Sequence, residues 1–251
     1  MVYCLFLPHL QGQKKCYINR YAVEASTMAI YAKKLVELNK LDHIIEVIQK
    51  KLEDIDDPNL CGQIDVLVSE PLGTFLFNER MLETYIIARD KFLKKNGKMY
   101  PAYANFCVVP FYDESLYMDY LNKVSFWNNT NFYGFDLSGL SNNALEEKFR
   151  QPVIEYYDYR THIAKEYKIK IDFRNISLEE FKTINYNCSF KINKVGVLHG
   201  LSFWFEAHFL GPQKNVTLNT GPNAVPTHWY QMRFLLRNPI GVNPGQISSL
   251  I

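Results

Sequence analysis

Glu70 and Glu79 bracket the stretch Ser69-Glu70-Pro71-Leu72-Gly73-Thr74-Phe75-Leu76-Phe77-Asn78-Glu79-Arg80-Met81. Two carboxylates facing each other across a hairpin-like loop can hold a flat cation. Guanidinium is the matching guest, because its fork of N–H donors meets carboxylate oxygens two by two. That is chemistry directed at arginine side chains. The plainer reading is that Glu79-Arg80 caps the helix that follows. His228, within Thr227-His228-Trp229, is a second group suited to chemistry, since a neutral imidazole accepts a proton or a hydrogen bond near neutral pH. A lone histidine beside tryptophan otherwise reads as structural. Glu24 closes the short strand Tyr21-Ala22-Val23-Glu24, at the carboxyl edge where α/β sheets bind ligands. It reads equally as an acid at a helix N-terminus.

The elements that must position these residues follow two rhythms. In the first half, the pattern predicts strands at Tyr21–Glu24, His43–Ile48 and Ile64–Ser69. A helix follows the first strand from Met28 to Asn39, with Ile30, Leu35 and Leu38 on one face. A second helix runs from Glu79 to Lys95, with Leu82, Tyr85 or Ile86, the Arg89 stem and Phe92 on one side, and Asn96-Gly97 as its stop. Lys94-Lys95 then reads as the C-terminal turn of that helix. Alternation of this kind implies a doubly wound α/β sheet. After Pro101, strand-like runs around Phe106–Pro110, Lys168–Phe173, Leu201–Glu206 and Trp229–Phe234 are separated by Gly, Pro and Asn clusters, which implies a barrel or sandwich. Between them, Asp119–Tyr157 is aromatic and partly helical, with more apolar groups than a solvated insertion carries. The fold class is therefore α/β plus all-β, divided at residues 1–100 and 101–251.

Composition narrows the function classes. The chain has 251 residues, 47% hydrophobic and 15% aromatic, with 28 Lys+Arg against 26 Asp+Glu. That is core-forming material for one large or two modest domains. The near-balanced charge, without a long basic run, gives no support to direct nucleic-acid binding. No apolar run reaches the roughly 20 residues of a membrane span. The apolar run within Met1–Leu10 lacks a basic n-region and a small-residue cleavage site, so it does not read as a signal peptide. Cys4, Cys16, Cys61, Cys107 and Cys188 form no C-x-x-C pair and suit neither a disulfide framework nor zinc. Reduced thiols in a cytosolic or nuclear protein are the expectation, and the sequons at Asn128, Asn175, Asn187 and Asn215 carry no weight. His9, His43, His162, His199 and His208 lack metal spacing and read as structural.

Three motifs together resemble a known family. Tyr21-Ala22-Val23-Glu24-Ala25-Ser26, the Ser69–Glu83 stretch and Thr227-His228-Trp229-Tyr230-Gln231 are similar, in order and spacing, to signatures of the protein arginine N-methyltransferases. Phe149-Arg150-Gln151-Pro152-Val153 and His199-Gly200-Leu201-Ser202-Phe203-Trp204-Phe205 resemble the coactivator-associated type I branch. The resemblance spans roughly Cys16 to Gln246. It implies a Rossmann-like methyltransferase domain, followed by a β-barrel substrate domain whose residues at about 119–157 are a homodimerising arm. It implies S-adenosylmethionine as methyl donor, no metal, and arginine-containing proteins such as histone tails as substrates, in nucleus and cytoplasm. Residue by residue, it implies that Glu24 holds the ribose hydroxyls and Glu53 the adenine amino group. Thr84 lies near the adenine, and Met81 packs by the sulfonium and the substrate nitrogen. Glu70 and Glu79 clamp the arginine, and His228 with Trp229 belongs to the substrate loop. Without the resemblance, Glu53-Asp54 is a solvated pair, Thr84 a helix-surface residue and Met81 a core methionine.

The chain also departs from the family pattern. The glycine-rich loop that follows the first strand and cradles the donor should precede Tyr21, where Met1–Arg20 holds only Gly12. Thr74 stands where relatives carry an aromatic, and the barrel should continue beyond Ile251. The expectation is a chain truncated at both ends, its first strand missing and the neighbouring edges exposed. Donor binding is then expected to be weak or absent, and a catalytically inactive fragment or dimerising scaffold is the alternative to an active enzyme.

Overall fold

The computed structural model describes residues 3–6 and 20–250, with the backbone alone at 3–6 and 250. The expectations for Gly12, Cys16, His9 and most of the Met1–Leu10 run lie outside the described residues. In chain order the elements are β1 (Tyr3–Phe6), β2 (Arg20–Val23), α1 (Met28–Leu38), β3 (Ile45–Ile48), β4 (Ile64–Val68), α2 (Met81–Phe92), β5 (Leu93–Tyr100) and β6 (Tyr103–Phe111). Then follow α3 (Glu114–Ser125), α4 (Ser141–Arg150), β7 (Val153–Glu155), β8 (Tyr167–Asp172), α5 (Leu178–Lys182), β9 (Cys188–Lys191), β10 (Gly196–Leu210), β11 (Asn215–Asn219), β12 (Gln231–Val242) and β13 (Ile247–Leu250). The chain divides into two compact units. One comprises Met1–Asn105, Lys170–Ile184 and Ala207–Leu218; the other comprises Phe106–Ile169, Asn185–Glu206 and Asn219–Ile251.

The first unit carries a five-stranded sheet in the order β3-β2-β1-β4-β5. Pairing is parallel between β2 and β3 and between β4 and β5. It is antiparallel on both sides of β1, where Tyr3 faces Val23 and Cys4 faces Val68. The expectation of open edges between β2 and β4 is thereby corrected. An extended segment with unpaired N–H and C=O groups on both flanks satisfies them by lying between two strands. The sheet is consequently mixed rather than wholly parallel.

A second correction concerns α2. It ends at Phe92, and Leu93–Tyr100 is a strand that includes Lys94, Lys95, Asn96 and Gly97. Pairing with the buried strand β4 outweighs local helix propensity here. Lys94 Nζ lies 2.8 Å from the Asp65 carboxylate on β4. The register slips between Ile64↔Leu93 and Val66↔Lys98, and a Cβ on Gly97 would come within 2.5 Å of Leu93 Cγ. Gly97 thus serves a close approach within a bulge and not a helix stop. The expected inward face of α2 is otherwise as read. Leu82, Tyr85, Ile86 and Phe92 are fully buried, and the Arg89 guanidinium donates to the carbonyls of Phe173 and Ile176 at 2.8 and 2.7 Å. Burying each large side chain of that face contributes about 2–3 kcal/mol.

The face of α1 is a third difference. Ala29 is buried and Ala32 and Val36 are half-buried, while Met28, Tyr31, Leu35 and Leu38 form an exposed stripe with Ile30 beside it. Small residues face the sheet because the helix lies close to it, which leaves the longer apolar residues outward.

The remaining strands form a sheet in the order β7-β12-β10-β6-β8, with β11 paired to β10, and a separate β9-β13 pair. α3 begins at Asp113, whose carboxylate accepts the Leu116 N–H at 3.0 Å in an N-cap. Phe111, Tyr120 and Leu235 form a buried cluster, with Tyr117 and Phe149 packed against it. Beyond that cluster Phe126, Tyr133, Phe135 and Leu140 stay exposed. Among the described residues no helix is long and apolar enough to cross a membrane.

Candidate active site

The carboxyl ends of β2 and β3 and the start of α2 enclose a cavity of about 550 Å³. It is lined by Glu24, Leu52, Glu53, Met81 and Thr84, together with Lys50 and Lys51. Four of the sequence-derived residues are therefore brought together. Glu24 follows β2, and its main-chain N–H extends the ladder to Ile48 O at 3.0 Å. Its side chain is 4% exposed, and one carboxylate oxygen accepts the Ser26 N–H at 2.7 Å. Burial alone would raise its pKa, but hydrogen bonds, those from Ser26 among them, hold it below the usual carboxylate value. An ionised acceptor is thus fixed in the cavity wall.

Glu53 sits in a short 3₁₀ turn, Leu52–Asp54, just beyond β3. The Thr84 hydroxyl on α2 donates to Glu53 Oε1 at 2.6 Å. Two residues far apart in sequence are thus joined in one hydrogen bond. Lys50 and Lys51 were missed by sequence reading. Their signal was positional, since residues just past the carboxyl end of a parallel strand line such sites whatever their type.

The Glu70–Arg80 segment is a compact turn. Gly73 and Leu76 form an isolated antiparallel bridge, with Leu76 N–H donating to Gly73 O at 2.8 Å. The Asn78 side chain accepts the Phe75 N–H at 2.8 Å, and a Cβ on Gly73 would stand 2.3 Å from that acceptor oxygen. Only glycine lets the two arms of the turn approach so closely. Leu76 and Arg80 take positive φ of 59° and 55°, uncommon for such side chains and a mark of local strain. Glu70 and Glu79 are exposed at the two ends of this turn. Glu70 also accepts the Leu72 N–H at 3.3 Å. Arg80 turns to Glu83, donating from Nε and a terminal nitrogen at 3.0 Å each. The next residue is Met81 of the cavity wall, so the acid turn leads directly into the pocket.

In the second unit, Thr227–Tyr230 forms a tight turn closed by Tyr230 N–H to Thr227 O at 3.1 Å. Trp229 is buried against Phe205, and the exposed His228 ring lies 3.8 Å from the Trp229 ring. Three other histidines are internal in their packing. His199 is 1% exposed, with Nδ1 accepting the Asp113 N–H at 3.1 Å and Nε2 3.1 Å from Glu114. His162 stacks on Trp204, and His208 stacks on Tyr103.

Residues 102–250, more than half of the chain, match the family model described as the arginine methyltransferase oligomerization subdomain. The histone-arginine methyltransferase CARMER of Drosophila persimilis is 46% identical over 226 residues, which are 90% of this chain and 42% of that relative. CARMER of Drosophila yakuba gives the same figures. The chain thus spans about two fifths of the length of these relatives. The crystal structure of Arabidopsis thaliana protein arginine methyltransferase 10 in an open conformation is 30% identical, with a TM-score of 0.78, over 91% of this chain and 70% of that one. The Trypanosoma brucei PRMT1 enzyme–prozyme heterotetrameric complex with AdoHcy is 26% identical, with a TM-score of 0.76, over 91% and 69%. On the match of its larger part, this chain belongs to the protein arginine methyltransferase family.

Proposed function

We propose that the chain acts in S-adenosylmethionine-dependent N-methylation of arginine side chains in proteins. The observation that carries this reading is the continuity of the acid turn, Glu70 to Glu79, with Met81 in a cavity that also presents Glu24, Glu53 and Thr84. The residues fit the donor's nucleoside half. An ionised, buried Glu24 suits a pair of ribose hydroxyls, and the Thr84-held Glu53 suits an exocyclic amino group. When bound, S-adenosylmethionine supplies an electrophilic methyl group on sulfur.

The protein's contribution is then positional and electrostatic. A guanidinium is a poor nucleophile because its lone pairs are delocalised, and its pKa, above about 12, keeps it protonated. Glu70 and Glu79 draw the positive charge toward the nitrogens they bind, which leaves the remaining nitrogen more electron-rich and oriented. Transfer forms a carbon–nitrogen bond, breaks the sulfur–carbon bond and releases one proton from nitrogen. His228, exposed on its turn with Trp229, is proposed as part of the substrate-binding loop.

The finer readings are of the same standing. The division near residue 100, closure of the second unit's strands into a barrel, and a nuclear and cytoplasmic location are proposed on the resemblance. CARMER relatives are named for histones, which supports histone tails as substrates. A homodimer is supported by the oligomerization subdomain match and by the exposed aromatics beyond α3. Methylarginine on mixed histones, formed by the purified chain with labelled S-adenosylmethionine and reduced by Glu79→Gln, is the expected result. Label that appears equally with both proteins contradicts the assignment.

A further inference from the structure

Tyr156 stands just past β7, where the antiparallel register pairs Glu155 with Gln231. Continuing that register by one position sets Tyr156 opposite Tyr230, the residue that ends the His228 turn. The rings meet at 4.7 Å between centroids, a cross-strand aromatic pair. The Tyr156 hydroxyl reaches past Tyr230 and donates to Thr227 O at 2.5 Å. That carbonyl also closes the turn by accepting Tyr230 N–H. Tyr230 itself has φ of 52°, a conformation bulky side chains rarely adopt, so something must hold it there. All of these groups lie in one unit. Neither tyrosine is core filling, since each residue is more than two fifths exposed.

We infer that Tyr156 is a positioning residue, a latch that holds the Thr227–Tyr230 turn, and His228 with it, in the conformation that receives an arginine-bearing peptide. The peptide half of this inference rests on the reading under Proposed function; the latch half does not. The hydroxyl bond fixes the start of the turn and the ring pair fixes its end. His228, between them, has its backbone tethered on both sides while its imidazole stays exposed. The latch directly follows β7, which is joined to α4 through Gln151-Pro152.

The test compares the full chain with Tyr156→Phe, which keeps the ring and removes the hydroxyl, and Tyr156→Ala, which removes both. Hydrogen exchange at the Tyr230 amide reads the latch. Titration with an arginine-containing histone-tail peptide reads its purpose. Exchange is expected to quicken several-fold in Tyr156→Phe and further in Tyr156→Ala, with thermal midpoints near that of the wild type. Peptide dissociation constants are expected to rise in the same order. Equal exchange at residues 227–230 in all three proteins overturns the latch. Faster exchange with unchanged peptide affinity overturns its role in substrate binding. A wild-type chain that binds no arginine peptide, with the exchange ranking intact, refutes the substrate reading and leaves the latch established.

Discussion

Carboxylates stand at two contrasting places in this molecule. At one, Arg233 on β12 is 3% exposed; it donates to Asp113 at 2.7 Å and to Glu155 at 2.5 Å and lies over the rings of Phe111 and Tyr157. At the other, Glu70 and Glu79 stand exposed at the ends of a strained turn beside a cavity. The first is a clamp whose guanidinium is part of the chain, walled by aromatics and tying the start of α3 and the strand β7 to β12. The second presents exposed carboxylates, which are proposed to receive a substrate guanidinium. Burial separates them. A buried guanidinium already held by carboxylates is costly to strip of its partners, whereas exposed acids at a turn can meet a ligand from solvent.

The largest expected effect tests the filled clamp. Arg233→Met removes the guanidinium and leaves Asp113 with an uncompensated, mostly buried charge. The expected cost is about 3 kcal/mol, read by urea unfolding. A cost below about 1 kcal/mol would erase the distinction between the two clamps. The mirror experiment is Glu79→Gln. Here stability should move by no more than about 0.5 kcal/mol, while methyl transfer to an arginine peptide should fall by roughly a hundredfold. A large loss of stability without a loss of activity would make Glu79 a helix-cap residue after all.

These contrasts also show what could be read from sequence. The acid turn and the inward face of α2 were legible because their signals are local: fixed spacing, a glycine at a close approach, an apolar stripe. The end of α2 was not. Lys94–Gly97 looks like a helix terminus until pairing with β4 is known, and that partner is remote in sequence. The outward stripe of α1 failed for a related reason, since periodicity reveals a face but not whether a neighbour covers it. In the cavity, Glu24 and Glu53 were legible by resemblance and Lys50 and Lys51 were not, because lysines after a strand look like any solvated turn. Arg233 was passed over within a strand-like run. Its two acids come from distant segments, and no spacing announces them.

A pH experiment probes the support beneath the filled clamp. The Tyr157 ring beneath Arg233 also carries the hydroxyl that lies 2.7 Å from His162 Nε2. Burial pushes the His162 pKa down, from 6.5 to about 4. The unfolded chain therefore takes up a proton between these values that the folded chain does not. Stability from this residue is complete above about pH 6.5 and is lost as pH falls toward 4, by about 2 kcal/mol after allowance for partial exposure. His162→Phe should flatten that slope in unfolding measured from pH 4 to 7, and an unchanged slope would place the titration elsewhere.

The smallest effect belongs to the cavity. Thr84→Val removes the hydroxyl that donates to Glu53, at a cost of about 1 kcal/mol in affinity for an adenine nucleoside such as S-adenosylhomocysteine. Arginine-peptide affinity should not change. Joint weakening of both ligands would mean that the cavity and the acid turn are not separable.

The exposed turn is proposed to select a guanidinium. Its most direct test is calorimetric titration of the full chain with an arginine-containing histone-tail peptide and with the same peptide carrying citrulline, which has nearly the same shape without the charge. Binding of the arginine peptide is expected to be at least about tenfold tighter, since bonds to a charged partner contribute roughly 1.5–3 kcal/mol. Glu79→Gln is expected to remove the difference. Equal affinity for the two peptides in the wild-type chain would contradict it.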